Sequence, residues 1–203
     1  MDGPVENDAG WATWPNLVTA IRLALLPVYI YMVLSTNYWI AAGLLLGTLG
    51  ATDWVDGYLA RRLHQVSNVG KILDPVADRL LVITSVITIA YVGAVPWWFA
   101  GATLAREVVV SAMTIALAIA GAARIDVLWW GKVSTFALMT AYPWFLITGS
   151  PTGAPIAQWQ HVLRVINWAI AIFGLTLAWI VLFAYVPPAL AALRAGRQGR
   201  TAG

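Results

Sequence analysis

The chain has 203 residues, 61% hydrophobic and only 10% charged, with twelve tryptophans and a formal net charge of +3. A soluble domain of this length carries about 25% charged residues, so the composition excludes an ordinary water-soluble protein and indicates a polytopic membrane protein. With no cysteine, disulfides and thiol chemistry are excluded, and the sparse bases suit anionic lipid headgroups rather than nucleic acid.

Residues 1–13 are acidic and lack a basic stretch before an apolar core. They read as a mobile tail rather than a cleavable signal. A span needs about 20 apolar residues, and six candidates follow in order: 17–35, 38–63, 70–92, 96–120, 131–149 and 163–190. The expected fold is all-α, with six transmembrane helices in one domain over 14–195 and a second tail over 196–203. The breaks near 36, 94 and 155 hold no Lys or Arg. The opposite set carries Arg61, Arg62, Lys71, Arg124, Lys132 and the tail bases Arg194, Arg197 and Arg200. The positive-inside rule therefore puts both termini in the cytoplasm of a cell-membrane protein. Arg164 stands apart near the outer end of the sixth span and reads as an interfacial anchor.

Four aspartates interrupt this apolar pattern: Asp53 and Asp56 in the second span, Asp74 and Asp78 in the third. A carboxylate at bilayer depth costs several kcal/mol, so such groups face the bundle interior and mark function. Spacings of three and four put each pair on one helix face. The helices run antiparallel around a cytoplasmic turn, and counting along them sets the two pairs at matched depth. Four carboxylates in one place repel one another, and a divalent cation relieves this. An all-oxygen set suits Mg²⁺ or Mn²⁺ rather than zinc. A structural ion pair with Arg61, Lys71 or Arg79 would explain one aspartate better than four. Gly57 and Gly70 allow close approach by a ligand or by another helix. Arg61 can take a phosphate bidentately, whereas Arg62 reads as a topology charge. Pro75 either frees a carbonyl in the third span or sits in its first turn.

The arrangement Asp53-x2-Asp56-Gly57-x2-Ala60-Arg61-x8-Gly70-x3-Asp74-x3-Asp78 resembles, position for position, the signature of the CDP-alcohol phosphotransferases. Trp14-Pro15-Asn16-Leu17-x-Thr19-x2-Arg22 is similar to the family's amino-terminal segment, so the resemblance covers nearly the whole chain. It implies an enzyme that moves a phosphatidyl group from a CDP-linked lipid such as CDP-diacylglycerol to an alcohol and releases CMP. It also implies that Asp53, Asp56 and Asp74 are metal ligands, and that Asp78 both belongs to the metal site and deprotonates the acceptor. Two Mg²⁺ or Mn²⁺ ions are expected. By the same resemblance Asn16, Thr19, Asp56, Gly57, Ala60, Arg61 and Gly70 contact the CDP-lipid, and the protein is a homodimer. The residues agree with that chemistry: metal ions neutralise the diphosphate, and a nearby carboxylate takes the hydroxyl proton. With no Cys and no obvious Ser/His pair beside the cluster, no covalent intermediate is expected.

The motif looks most like members with glycerol-type acceptors, the phosphatidylglycerophosphate synthases and cardiolipin synthases. Arg106, in the middle of the fourth span, and Lys132, opening the fifth, are expected to be buried charges that bind an anionic acceptor. For Arg106 the competing role is pairing with Glu107, although adjacent residues do not share a helix face. Glycerophosphate-using relatives typically carry further bases where this chain has Met113-Thr114-Ile115 and Ser134. Fewer bases suit a phosphodiester monoanion better than a phosphomonoester, which approaches charge −2. Phosphatidylglycerol is the favoured acceptor and glycerol 3-phosphate the alternative. A divalent-cation transporter is the rival of a different class; it predicts inverted repeats, and all four aspartates come from one helical hairpin.

Overall fold

The computed structural model describes residues 14–36, 38–63, 70–119, 129–150 and 156–201, with side chains described outside 14–15, 53–75, 118 and 189–201. Among these described residues six helices follow in order: α1 Trp14–Ser35, α2 Trp39–Leu63, α3 Gly70–Tyr91, α4 Trp97–Ile119, α5 Trp129–Ile147 and α6 Gln158–Thr201. This is the expected all-α chain. The tail over 1–13 lies outside the described residues.

The sixth helix departs most from expectation. It starts at Gln158 rather than 163 because Ala157 and Gln160 cap it: the Ala157 N–H donates to Gln160 Oε1 at 2.8 Å. The Gln160 amide in turn donates to the Ile147 carbonyl at 3.1 Å, tying the end of α5 to the start of α6. At its other end α6 passes Pro187 and Pro188 and continues through Thr201. The segment from 196 is therefore helical where the sequence suggests a tail.

Chain reversal between α3 and α4 has a local cause. Gly93 takes a φ of 76°. Its N–H bonds the Ala90 carbonyl, and the Ala94 N–H bonds the Ile89 carbonyl, both at 3.0 Å. That pair of bonds is a Schellman cap, which needs a left-handed residue.

Three helices are long and apolar enough to cross a membrane among the described residues, over Asn16–Ser35, Trp97–Leu117 and Gln158–Pro188. Among the described residues Trp39–Thr52 of α2 is a further, shorter apolar helical stretch. Large apolar side chains such as Val108 and Ile115 on α4 and Val165, Phe173 and Phe183 on α6 are exposed. Such a surface calls for lipid around it, because soluble monomers rarely expose wide apolar patches.

Packing centres on α5, which contacts α2, α3 and α6. On α2, a Cβ at Gly43 would lie 2.7 Å from the Pro143 carbonyl oxygen and 2.7 Å from Ile147, so α2 and α5 touch through bare backbone there. Gly47, one turn on, faces Pro143 at 3.6 Å. Phe99 of α4, Phe145 of α5 and Trp168 of α6 pack edge-on with centroids 4.9 to 5.8 Å apart. Asn167 adds a bond from its amide to the Ala141 carbonyl at 3.2 Å. Tyr29 of α1 reaches Thr88 of α3 at 2.9 Å. Because the Thr88 hydroxyl donates to the Thr84 carbonyl, Tyr29 is the donor.

Candidate active site

The acidic motif is divided between α2, which carries Asp53, Asp56, Gly57, Ala60 and Arg61, and α3, which carries Gly70, Asp74 and Asp78. Ten residues separate Asp53 from Leu63, and eight separate Gly70 from Asp78. At 1.5 Å per residue these positions stand about 15 and 12 Å from the helix ends on either side of residues 64–69. Both motif helices touch the same two neighbours, α1 and α5. The side chains of Asp53, Asp56, Gly57, Ala60, Arg61, Gly70 and Asp74 lie outside the described residues. The Asp78 side chain is half-buried on α3 and makes a polar interaction. The described residues by themselves contain no group of three or more metal-ligating side chains.

Helix α1 presents a polar stripe in an otherwise apolar span. Asn16, Thr19 and Arg22 recur every three residues and are all buried, Arg22 to 2% exposure. All three are engaged in polar interactions. A buried guanidinium within an apolar helix is costly unless anionic or dipolar groups surround it. Arg22 lies eight residues past Trp14, about 12 Å along α1. The sequence marks it only as part of the amino-terminal segment, and its burial is visible only in the fold.

The two expected acceptor-binding bases differ. Lys132, near the start of α5, is exposed rather than buried. Its place three residues into α5 leaves the ammonium room to extend beyond the helix end. Behind it Ser134 is fully buried and donates to the Gly131 carbonyl at 2.8 Å. Arg106 is half-buried and its Nη1 pairs with Glu107 Oε1. The long arginine chain reaches sideways to its neighbour, so the adjacency that argued against this pair does not prevent it. Tyr142 of α5, 4% exposed, has its hydroxyl within electrostatic reach of Thr103, Glu107 and Arg106. Nothing in the sequence pattern singles out Tyr142 from other tyrosines in apolar spans.

A family model for CDP-alcohol phosphatidyltransferase matches residues 12–186, which takes in the α1 stripe, the acidic motif and the α4–α5 cluster. The chain belongs to that family. It is a membrane-bound phosphatidyltransferase of phospholipid synthesis, which sets aside the transporter alternative. A protein of Mycobacterium tuberculosis named putative cardiolipin synthase is 37% identical over 174 residues, 85% of this chain and 80% of the relative. The cardiolipin synthase (CMP-forming) of Streptomyces coelicolor is 35% identical over 175 residues, 82% of this chain and 78% of the relative. The CDP-diacylglycerol–glycerol-3-phosphate 3-phosphatidyltransferase of Bacillus subtilis is 33% identical over 152 residues, 68% of this chain and 78% of the relative.

Proposed function

We propose that this phosphatidyltransferase moves the phosphatidyl group of CDP-diacylglycerol to the glycerol hydroxyl of phosphatidylglycerol, forming cardiolipin and CMP. The observation that carries the transfer reading is the family match spanning an acidic motif borne by two helices that share α1 and α5 as neighbours. The choice of acceptor draws on the mycobacterial and streptomycete relatives, whose match covers more of this chain than that of the Bacillus glycerol-3-phosphate enzyme. It also draws on charge, because Arg106 is already paired with Glu107 and no further base stands at Met113 or Ser134.

Asp53, Asp56, Asp74 and Asp78 would hold one or two divalent cations, since four carboxylates form an all-oxygen set suited to Mg²⁺ or Mn²⁺. Such ions, when bound, offset the charge of the diphosphate and of the departing CMP. The chain's own part is to bind, orient and move one proton. Asn16, Thr19, Gly57, Ala60, Arg61 and Gly70 hold the CDP end, with the Arg61 guanidinium matched to phosphate oxygens. Asp78 takes the proton of the acceptor hydroxyl. That oxygen forms the new bond to the lipid phosphorus, and the bond from phosphorus to CMP breaks, the electron pair leaving with CMP. In this reading all six helices span the membrane, both termini and the site face the cytoplasm, and two chains form a dimer.

The test is CMP release by purified protein given CDP-diacylglycerol and either acceptor, followed by identification of the lipid product. Asp53→Asn and Asp78→Asn should each lower the rate by about 100-fold or more. Undiminished CMP release by either variant would end the catalytic assignment. Phosphatidylglycerophosphate as the main product would move the acceptor to glycerol 3-phosphate while leaving the transfer intact.

A further inference from the structure

Helices α4 and α5 carry a largely buried polar cluster of their own. Arg106 lies thirteen residues before Ile119, and Tyr142 lies thirteen residues after Trp129. Both are therefore about 20 Å from the helix ends that adjoin residues 120–128, one to two turns deeper than Asp78 on α3. Two donors there have no partner of good hydrogen-bond geometry among the described residues: the Arg106 Nε–H and the Tyr142 hydroxyl, which has only Thr103 within loose reach. Both atoms are fully buried. The Thr103 hydroxyl beside them spends its proton on the Phe99 carbonyl at 3.0 Å, and Arg106 Nη1 is taken by Glu107. Orphan donors removed from water are costly, and two in one cluster invite an acceptor oxygen.

We propose that Tyr142 and Arg106 form a two-donor seat for a phosphodiester oxygen of the acceptor lipid, with Glu107 setting its selectivity. The proposal rests on the transfer reaction above and adds what recognises the acceptor. Glu107 cancels the Arg106 charge, so the seat is neutral overall but rich in donors. A phosphodiester brings one negative charge and finds two N–H and O–H groups. A phosphomonoester brings nearly two charges and meets the Glu107 carboxylate as well. Discrimination thus comes from a repulsive element placed beside an attractive one.

The experiment uses the full chain in mixed micelles with CDP-diacylglycerol, varying phosphatidylglycerol or glycerol 3-phosphate and reading CMP. Tyr142→Phe should raise KM for phosphatidylglycerol about tenfold, the loss expected for a hydrogen bond to a charged group. Its kcat and its KM for CDP-diacylglycerol should stay within about twofold of wild type. Glu107→Gln should shift the kcat/KM ratio towards glycerol 3-phosphate by about tenfold, through loss of one like-charge contact. If Tyr142 only ties α5 to α4, Tyr142→Phe lowers stability and leaves acceptor KM unchanged, which overturns the proposal. Unaltered selectivity in a folded Glu107→Gln, or a wild type that prefers glycerol 3-phosphate, also overturns it. Should Glu107→Gln not fold, Tyr142→Phe decides alone. A wild type that releases no CMP with either acceptor sinks the transfer reading itself, and this inference with it.

Discussion

Gly43→Ala tests whether the helix bearing Asp53 and Asp56 is seated by direct backbone contact with α5. The added Cβ would sit 2.7 Å from the Pro143 carbonyl oxygen and 2.7 Å from Ile147 Cγ1. An ordinary carbon–oxygen contact needs roughly 3.4 Å, so the helices must separate by about 0.7 Å, and overpacking of this kind costs about 1–3 kcal/mol. Ile147 can shift its side chain, but the Pro143 carbonyl belongs to the backbone and can give only with the helix. Reversible unfolding in mixed detergent micelles would read the stability loss. Activity should fall further than stability suggests, because sub-ångström displacement of α2 moves its acidic residues relative to those of α3, and a shift of about 1 Å can cost about 100-fold in rate. Gly47→Ala is the internal control. Its Cβ would meet Pro143 at 3.6 Å, an ordinary contact, and alanine gains roughly 1 kcal/mol over glycine in a helix. A Gly43→Ala protein as stable and active as wild type, or a Gly47→Ala protein equally damaged, would refute the close α2–α5 approach.

Gly93→Ala meets no atom within 4 Å, so only the left-handed backbone at φ 76° opposes it; the same unfolding measurement should show a loss of about 1–2 kcal/mol. Gly93→Asn should recover part of that, since asparagine tolerates the left-handed region. Tyr29→Phe removes the α1–α3 hydrogen bond to Thr88 and should cost about 0.6 kcal/mol, the usual value for such bonds in membrane bundles. A loss several times larger would mean that the hydroxyl does more than link two helices. Chelation of divalent cations should abolish CMP release, with Mg²⁺ or Mn²⁺ restoring it; full activity after exhaustive chelation would contradict the carboxylate-held metal.

Much of the fold is legible in the chain because lipid leaves few options. Backbone groups in hydrocarbon must bond internally, so apolar runs of about 20 residues become helices, and five of the six begin and end within a few residues of the apolar boundaries. The sixth is misjudged at both ends for local reasons. A Gln160 side chain caps it early, and the polar, glycine-bearing segment after Pro188 stays helical although its composition suggests a loop. At the site, the four aspartates stand out because a carboxylate in an apolar run has no inexpensive explanation.

Residue type and spacing determined the acidic motif, and the resemblance of that motif to a family signature supplied the family and the reaction class, since the chemistry requires carboxylates at helical intervals whatever surrounds them. Tertiary structure decided what each remaining polar residue faces. Arg22 turned out to be buried, Lys132 exposed, and Arg106 joined to Glu107, and Tyr142 became their neighbour only because α5 brings it to α4. Burial and partnership depend on how helices rotate and pack against one another, and that depends on bare contacts such as Gly43 on Pro143. A linear pattern records which residues a helix carries, not which neighbour each of its faces meets.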